Sequence, residues 1–200
     1  LFRLNAPRSN PTNDAAIEGM RKRLIAWDLS PDGEQMVDGS GLSRRDVVAT
    51  ETLVGILMRM YDPDPAAPWM VALPLAGVDG TLANRMHSTA AERNVRAKTG
   101  SMSNVRSLAG YVTTSGGEHL AFAAIVNNFE GAGAEANQAL DSIAVTLATF
   151  ARPASFAAQQ TFPTGTGPSS MTTADVNGDG LADFLVAFLV FGVVFRVRIN

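Results

Sequence analysis

The 200-residue sequence contains no cysteine, which removes disulfides, thiolate nucleophiles and cysteine zinc sites together and leaves the compartment undecided by redox chemistry. Histidine is nearly as scarce. Any Ser-His-Asp triad or histidine metal site would have to draw on His87 or His119, and both fall in ordinary settings, one in a polar stretch that reads as helix and one at a strand start. Charged residues are 18% of the chain, below the usual value of about 25%, and no basic cluster exceeds Arg21-Lys22-Arg23. With a net charge of −3, the chain lacks the electrostatic footprint that phosphate backbones require, so nucleic acid is excluded as a partner. The apolar run over residues 184–195 falls short of the roughly 20 residues of a membrane helix and reads as a buried strand, and nothing in the segment indicates membrane association. Initiator Met, basic n-region and apolar h-region are all missing at the start, where residues 1–4 read as the tail of a helix already under way. The sequence therefore predicts a missing N-terminal part.

What is present is enough for a core. Hydrophobic residues make up 46% of the chain and mean hydropathy is +0.08. Thr12-Asn13-Asp14 supply cap candidates for a helix carrying Ile17, Met20, Leu24 and Trp27 to about Asp28, and Thr50 is placed to cap a second helix carrying Leu53, Ile56, Leu57 and Met60. Leu82, Met86 and Ala90 suggest a third. The period then turns strand-like over 95–98, 108–113 and 120–126, with Ser115-Gly116-Gly117 as a hairpin turn, before Ala136, Leu140, Ile143, Leu147 and Phe150 mark a last helix. Segregated helices and strands predict an α+β domain, an antiparallel sheet with packed helices, over residues 1–151. Residues 152–170, rich in Pro, Gly, Ser and Thr, read as a linker, and residues 171–200 as a second module.

The triplet Lys98-Thr99-Gly100, continued by Ser101, stands where a strand begins and before a hairpin. Alone it is a weak signal. Its interest lies in the chemistry: an ammonium that raises the positive potential and takes part in proton transfer, alternate hydroxyls for a carboxylate, and a strand-edge N–H for an oxyanion. Two further stretches precede it in order, Asp38-Gly39-Ser40-Gly41-Leu42-Ser43-Arg44 and Leu73-Pro74-Leu75-Ala76-Gly77-Val78-Asp79-Gly80-Thr81-Leu82, and Leu108-Ala109-Gly110-Tyr111-Val112 follows. Together, over about residues 12 to 151, they closely resemble the D-alanyl-D-alanine carboxypeptidase/endopeptidase family, the class C penicillin-binding proteins.

The resemblance implies a β-lactamase/transpeptidase-like fold, present here in part, and a serine DD-peptidase in the periplasm or outside the cell. Such an enzyme acts on peptidoglycan stem peptides through an acyl-enzyme that β-lactams trap, with no cofactor for catalysis. By position, Lys98 looks like the lysine of the family's third motif, Thr99 and Ser101 like the hydroxyls that receive the terminal carboxylate, and the Ser101 N–H like one oxyanion donor. Gly100 completes the substrate-binding triplet. The loops at 38–44 and 79–82 resemble signature loops near the cleft, without assignable individual roles. Asn104 departs from a frequent family Gly. The larger departure is an absence: Gly19 and Val95 stand three before the two lysines, Lys22 and Lys98, so Ser-x-x-Lys does not occur, nor does Ser-x-Asn. Ser40 is no nucleophile elbow, because Asp38 and Leu42 stand two before and two after it where Gly-x-Ser-x-Gly needs glycine. This fragment alone is therefore expected to be inactive. Competing readings are a non-catalytic cell-wall or surface binding module with the same fold, and a β-lactamase-like hydrolase.

A second constellation lies near the C-terminus. Asp175, Asn177, Asp179 and Asp183, with Gly180 at the turn and the carbonyl of Leu181, fill alternate positions of a calcium loop. Val186 stands where an EF-hand needs its bidentate Glu, so a helix-loop-helix sensor is excluded. The loop resembles those of extracellular FG-GAP-type repeats, which implies Ca²⁺ here and an incomplete all-β repeat module, since one repeat cannot bury its own faces. An acidic, Gly-rich turn without metal is the alternative.

Overall fold

The computed structural model describes residues 12–30, 34–131 and 133–151, and the backbone of three strands over 169–174, 183–188 and 193–199. The chain divides into two compact units, Leu1–Met60 and Tyr61–Asn200.

In the first unit, helix α1 (Asn13–Ala26) starts where Thr12, in extended conformation, accepts a hydrogen bond from the Ala15 N–H at 3.2 Å. Asp14 in its first turn and Arg23 in its last complement the helix dipole. A two-stranded antiparallel ribbon, β1 (Glu34–Gln35) and β2 (Val47–Val48), leads into α2 (Thr50–Met60), of which Thr50 is the first residue. Thr50, Thr52, Val54 and Leu57 of α2 are buried, as are Ala16 and Leu24 of α1. Arg59 ties the two helices by donating from Nη2 and Nε to the Trp27 carbonyl at 2.9 and 3.2 Å.

The second unit is built on an antiparallel sheet. Helix α3 (Pro68–Val71) carries proline in its first turn, where a missing N–H costs nothing. After a single 3₁₀ turn (Gly80–Leu82) come β3 (Arg96–Met102), β4 (Val105–Thr113) and β5 (His119–Asn127) as a meander, then α4 (Ala134–Thr149). The hairpin between β4 and β5 turns at Gly117, with φ of +88°. α4 lays Ala136, Leu140, Ala144 and Ala148 against Leu108, Val112, Leu120, Phe122 and Ala124 of the sheet, and Leu140 and Phe122 are fully buried. Burying each such large side chain contributes roughly 1.5–3 kcal/mol. A bidentate ion pair, Arg85 Nη2 to Asp141 Oδ1 at 2.6 Å and Nε to Oδ2 at 3.2 Å, fastens α4 to the segment ahead of β3.

One expectation meets a different structure. The helix expected through Leu82, Met86 and Ala90 does not form, because Met86, Ser88 and Arg93 adopt φ of +60°, +57° and +57°, which interrupts any right-handed helix. The path instead drops Leu82, Met86 and Ala91 into the core from successive turns. Farther along, the strands β6 (Ser169–Ala174), β7 (Asp183–Phe188) and β8 (Val193–Ile199) lie in the same sheet, in the order β3-β4-β5-β8-β7-β6. Residues 152–168, most of the expected linker, lie outside the described residues. Among the described residues no helix is long and apolar enough to cross a membrane.

Candidate functional site

β3 is an outer strand of the sheet, and its register with β4 runs unbroken from Arg96↔Tyr111 to Met102↔Val105. Residues directly opposite share a face. Thr99 lies across from Leu108 and Ser101 across from Arg106 on one face, while Lys98 across from Ala109 and Gly100 across from Ser107 occupy the other. The alternation expected of the motif is thus present, and Gly100 belongs to a regular ladder. A Cβ at Gly100 would run into the Ser107 hydroxyl, so that side chain would have to turn aside for any larger residue.

The free edge of β3 is half covered. Residues 74–76 run alongside its start: the Ala97 N–H donates to the Pro74 carbonyl at 3.0 Å and the Ala76 N–H to the Val95 carbonyl at 2.9 Å. Because peptide groups alternate along a strand, Thr99 and Ser101 turn their N–H and C=O groups to the same side as Ala97 does, past the point where this cover ends. The exposed Lys98 ammonium donates to the Thr99 carbonyl at 2.5 Å. By the same alternation the Ser101 N–H faces away from β4.

The segment 73–82 reaches this edge by a compact turn. Asp79 accepts from the Leu75 N–H at 2.8 Å, the Gly77 N–H donates to the Leu82 carbonyl at 3.0 Å, and fully buried Leu82 anchors the 3₁₀ turn. Gly80, at φ +53°, lies against Pro74, whose Cγ would be 3.0 Å from any Cβ there. Thr81 is thereby presented to β3, and the Thr99 hydroxyl donates to the Thr81 hydroxyl at 2.9 Å. Sequence reading singled out the loop but not this contact, which spans 18 positions and has no local signal.

Asn104 takes φ of +60° in the turn between β3 and β4, a conformation that Asn tolerates better than most residues, so the departure from Gly leaves that turn intact. Farther along the face of Lys98, the Trp69 indole donates to the Tyr111 hydroxyl at 2.9 Å. Burial pushes the Tyr111 phenol above its usual range. The two histidines have local partners: His87 Nδ1 lies 3.0 Å from Glu92 Oε1, and His119 Nδ1 lies 3.2 Å from the Thr113 hydroxyl. His87 sits in turns and not in a helix.

The loop at 38–44 belongs to the first unit. Asp38 accepts from the Ser40 N–H at 2.8 Å, and the Ser40 hydroxyl accepts from the Leu42 N–H at 3.0 Å. Hydrogen bonding by the Ser40 side chain, and then by its N–H, holds the Asp38 carboxyl below its usual range. Leu42 is exposed. Of the calcium-loop positions, Asp175, Asn177, Asp179 and Leu181 lie outside the described residues, and Asp183 opens β7, its backbone opposite Ala174. Among the described residues no group of three metal-binding side chains occurs.

Residues 4–149 match the model of the D-Ala-D-Ala carboxypeptidase 3 (S13) family. The chain belongs to this family. A model of an FG-GAP-like repeat also matches, over residues 139–186, beginning within α4. Among relatives of this S13 chain, the D-alanyl-D-alanine carboxypeptidase of Actinomadura sp. (strain R39) is 43% identical over 145 residues, covering 70% of this chain and 26% of that protein. Penicillin-sensitive carboxypeptidase A of Dictyostelium discoideum is 31% identical over 156 residues, 74% of this chain and 29% of its own length. The crystal structure of penicillin binding protein 4 from Haemophilus influenzae, complexed with a β-lactam, superposes with a TM-score of 0.65 at 28% identity, over 74% of this chain and 37% of that one. These matches agree with the mixed helix and antiparallel-sheet architecture. The chain spans between a quarter and a third of the two relatives' lengths.

Proposed function

We propose that this S13 chain forms the substrate-carboxylate and oxyanion side of a serine-type D-Ala-D-Ala carboxypeptidase/endopeptidase that acts on peptidoglycan stem peptides outside the cytoplasm and is acylated by β-lactams. The observation that carries the reading is the uncovered half of β3, where the Thr99 and Ser101 hydroxyls share one face and the Ser101 N–H points past the sheet. In the proposed reaction a serine oxygen attacks the carbonyl of the penultimate D-Ala and gives up its proton. The C–N bond then breaks, the terminal D-Ala leaves as an amine carrying a proton, and water hydrolyses the resulting ester.

Lys98 supplies positive potential and a proton relay at the strand, Thr99 and Ser101 hold the terminal carboxylate, and the Ser101 N–H stabilises the oxyanion. Gly100 keeps the strand regular between them. The attacking serine is assigned to a segment outside these 200 residues, since no Ser-x-x-Lys occurs within them. Losing one oxyanion donor costs about 10²–10³ in rate, and losing the nucleophile on the order of 10⁶. The 200 residues alone should therefore not be labelled covalently by fluorescent penicillin, and a product translated from farther upstream in the same frame should be. Labelling of the short chain, or none of the longer one, would overturn the assignment.

For the C-terminal loop, the carboxylates of Asp175, Asp179 and Asp183, the Asn177 amide and the Leu181 carbonyl form an all-oxygen donor set suited to Ca²⁺. Calorimetric titration should show binding that Asp179→Ala abolishes. Heat of dilution alone up to millimolar Ca²⁺ would remove the metal from the proposal.

A further inference from the structure

We infer that Thr81 is a positioning residue: through its hydroxyl it sets the orientation of the Thr99 hydroxyl and makes the site select ligands that end in a free carboxylate. The inference rests on the proposed role of Thr99 and deepens it.

The two oxygens are 2.9 Å apart, and no other side-chain hydrogen bond engages the Thr81 hydroxyl among the described residues. A hydroxyl has one proton to donate and two lone pairs to accept with. In the ligand-free arrangement Thr99 donates to Thr81, which leaves the proton of Thr81 uncommitted. When a carboxylate arrives, the Thr99 proton turns to the carboxylate oxygen and the Thr81 proton swings onto the Thr99 oxygen. The pair reverses polarity without losing a bond, and each bond polarises the next. A carboxamide at the ligand's end keeps one carbonyl oxygen that can accept but carries no charge and replaces the second oxygen by an NH₂ donor, so it draws the Thr99 proton outward more weakly and engages the relay less.

The relay depends on Thr81 being immobile relative to β3, and the surrounding loop provides that. The Pro74 carbonyl accepts from Ala97 two residues before Thr99, Asp79 closes the loop onto the Leu75 N–H, and Leu82, next to Thr81, is fully buried. Both threonines are β-branched, so few rotamers are open to either once the bond is formed. Restricting the Thr99 side chain before the ligand binds reduces the entropy lost on binding.

The test uses the 200-residue chain, isotopically labelled, and follows the Thr99 and Ser101 signals by NMR during titration with N-acetyl-D-Ala-D-Ala and with its C-terminal amide. Three-bond couplings report the Thr99 χ1 angle in the same samples. Thr81→Val should weaken binding of the free acid about 3- to 10-fold, in line with the net worth of one hydrogen bond, weaken the amide distinctly less, and release the Thr99 χ1 angle into rotamer averaging. Thr81→Ser, which keeps the hydroxyl, should restore both. Unchanged Leu82 methyl signals in Thr81→Val show that the loop remains folded. Equal loss for acid and amide, or a Thr99 χ1 angle unmoved by Thr81→Val, overturns the inference. If the parent chain binds neither ligand, the carboxylate role of Thr99 falls, while the χ1 angle still decides whether Thr81 orients it.

Discussion

Gly110 lies in β4 opposite Ala97, and replacing it with alanine tests whether β3 can be displaced without unfolding the sheet. A Cβ at Gly110 would lie 2.5 Å from the Ala97 Cα and 2.7 Å from the Ala97 Cβ, and would overlap the Arg96 carbonyl oxygen. Carbon atoms pack at about 3.5–4.0 Å, so β3 must retreat by roughly 1 Å. Two of the three obstructing atoms are backbone, and no rotamer change relieves them. Overpacking of this kind costs about 1–3 kcal/mol, against which alanine recovers about 0.4–1 kcal/mol by restricting the unfolded chain. A net loss of about 1–2 kcal/mol, or some 2–8 °C in Tm, is expected by urea and thermal unfolding. Ala97→Gly should not rescue it, since the Cα and the carbonyl remain. At Gly100 the obstacle is the Ser107 hydroxyl, a side chain, so Gly100→Ala should be milder and Ser107→Ala should suppress it. Amide shifts of Thr99 and Ser101 would register the movement of β3. Gly110→Ala within 0.5 kcal/mol of the parent chain with those amides unmoved would refute the close-packing argument.

The Arg85–Asp141 pair has side chains only 16% and 23% exposed, and removing one partner leaves a half-buried charge. Arg85→Met or Asp141→Asn should each cost about 2 kcal/mol, and a double-mutant cycle should show coupling above about 1 kcal/mol; additive losses would mean the pair is screened. The Glu92 carboxyl is held below the usual glutamate range, first by the bond with His87 and then by the Ser88 N–H. A carboxyl with a depressed folded pKa stabilises the fold above the unfolded value and loses that contribution as pH falls through the folded one. The urea midpoint of Glu92→Gln should therefore lie below the parent's at neutral pH and converge on it in acid. A gap that stays constant through the acid range would show that the carboxylate's charge is not the cause.

Local patterns made much of this fold legible. Helix α1 announces itself by Thr12 and the apolar spacing behind it, and α4 by Leu140 and its neighbours at helical intervals. The hairpin of β4 and β5 follows from two strand-like runs around Gly116-Gly117. The failure over 82–94 has a definite cause. Apolar residues recur there at nearly helical spacing, but the requirement they satisfy is burial of Leu82, Met86 and Ala91 from consecutive turns, and three left-handed residues make the turns. None of the three is glycine, and composition gives no warning of them. The site shows the same division: Lys98 to Ser101 could be read from the triplet and strand alternation, whereas Thr81 required the tertiary path that brings a loop 18 residues away onto the strand edge.

An outer strand with unpaired peptide groups is a liability that proteins usually suppress by charge, brevity or cover. β3 uses all three over most of its length: residues 74–76 cover its start, the Lys98 ammonium occupies the Thr99 carbonyl, and the strand ends at the tight turn through Asn104. What escapes is a short stretch around Thr99 and Ser101, bearing two hydroxyls and outward N–H groups. That opening is too short for another strand to pair along it and leaves hydrogen-bond donors directed away from the sheet. A strand kept only for the sheet's integrity would gain from a bulky residue at 101 and from extending the cover past Ala97. The sequence instead places small polar residues there and holds the loop short, an arrangement that leaves this edge open where closure of the sheet alone would have covered it.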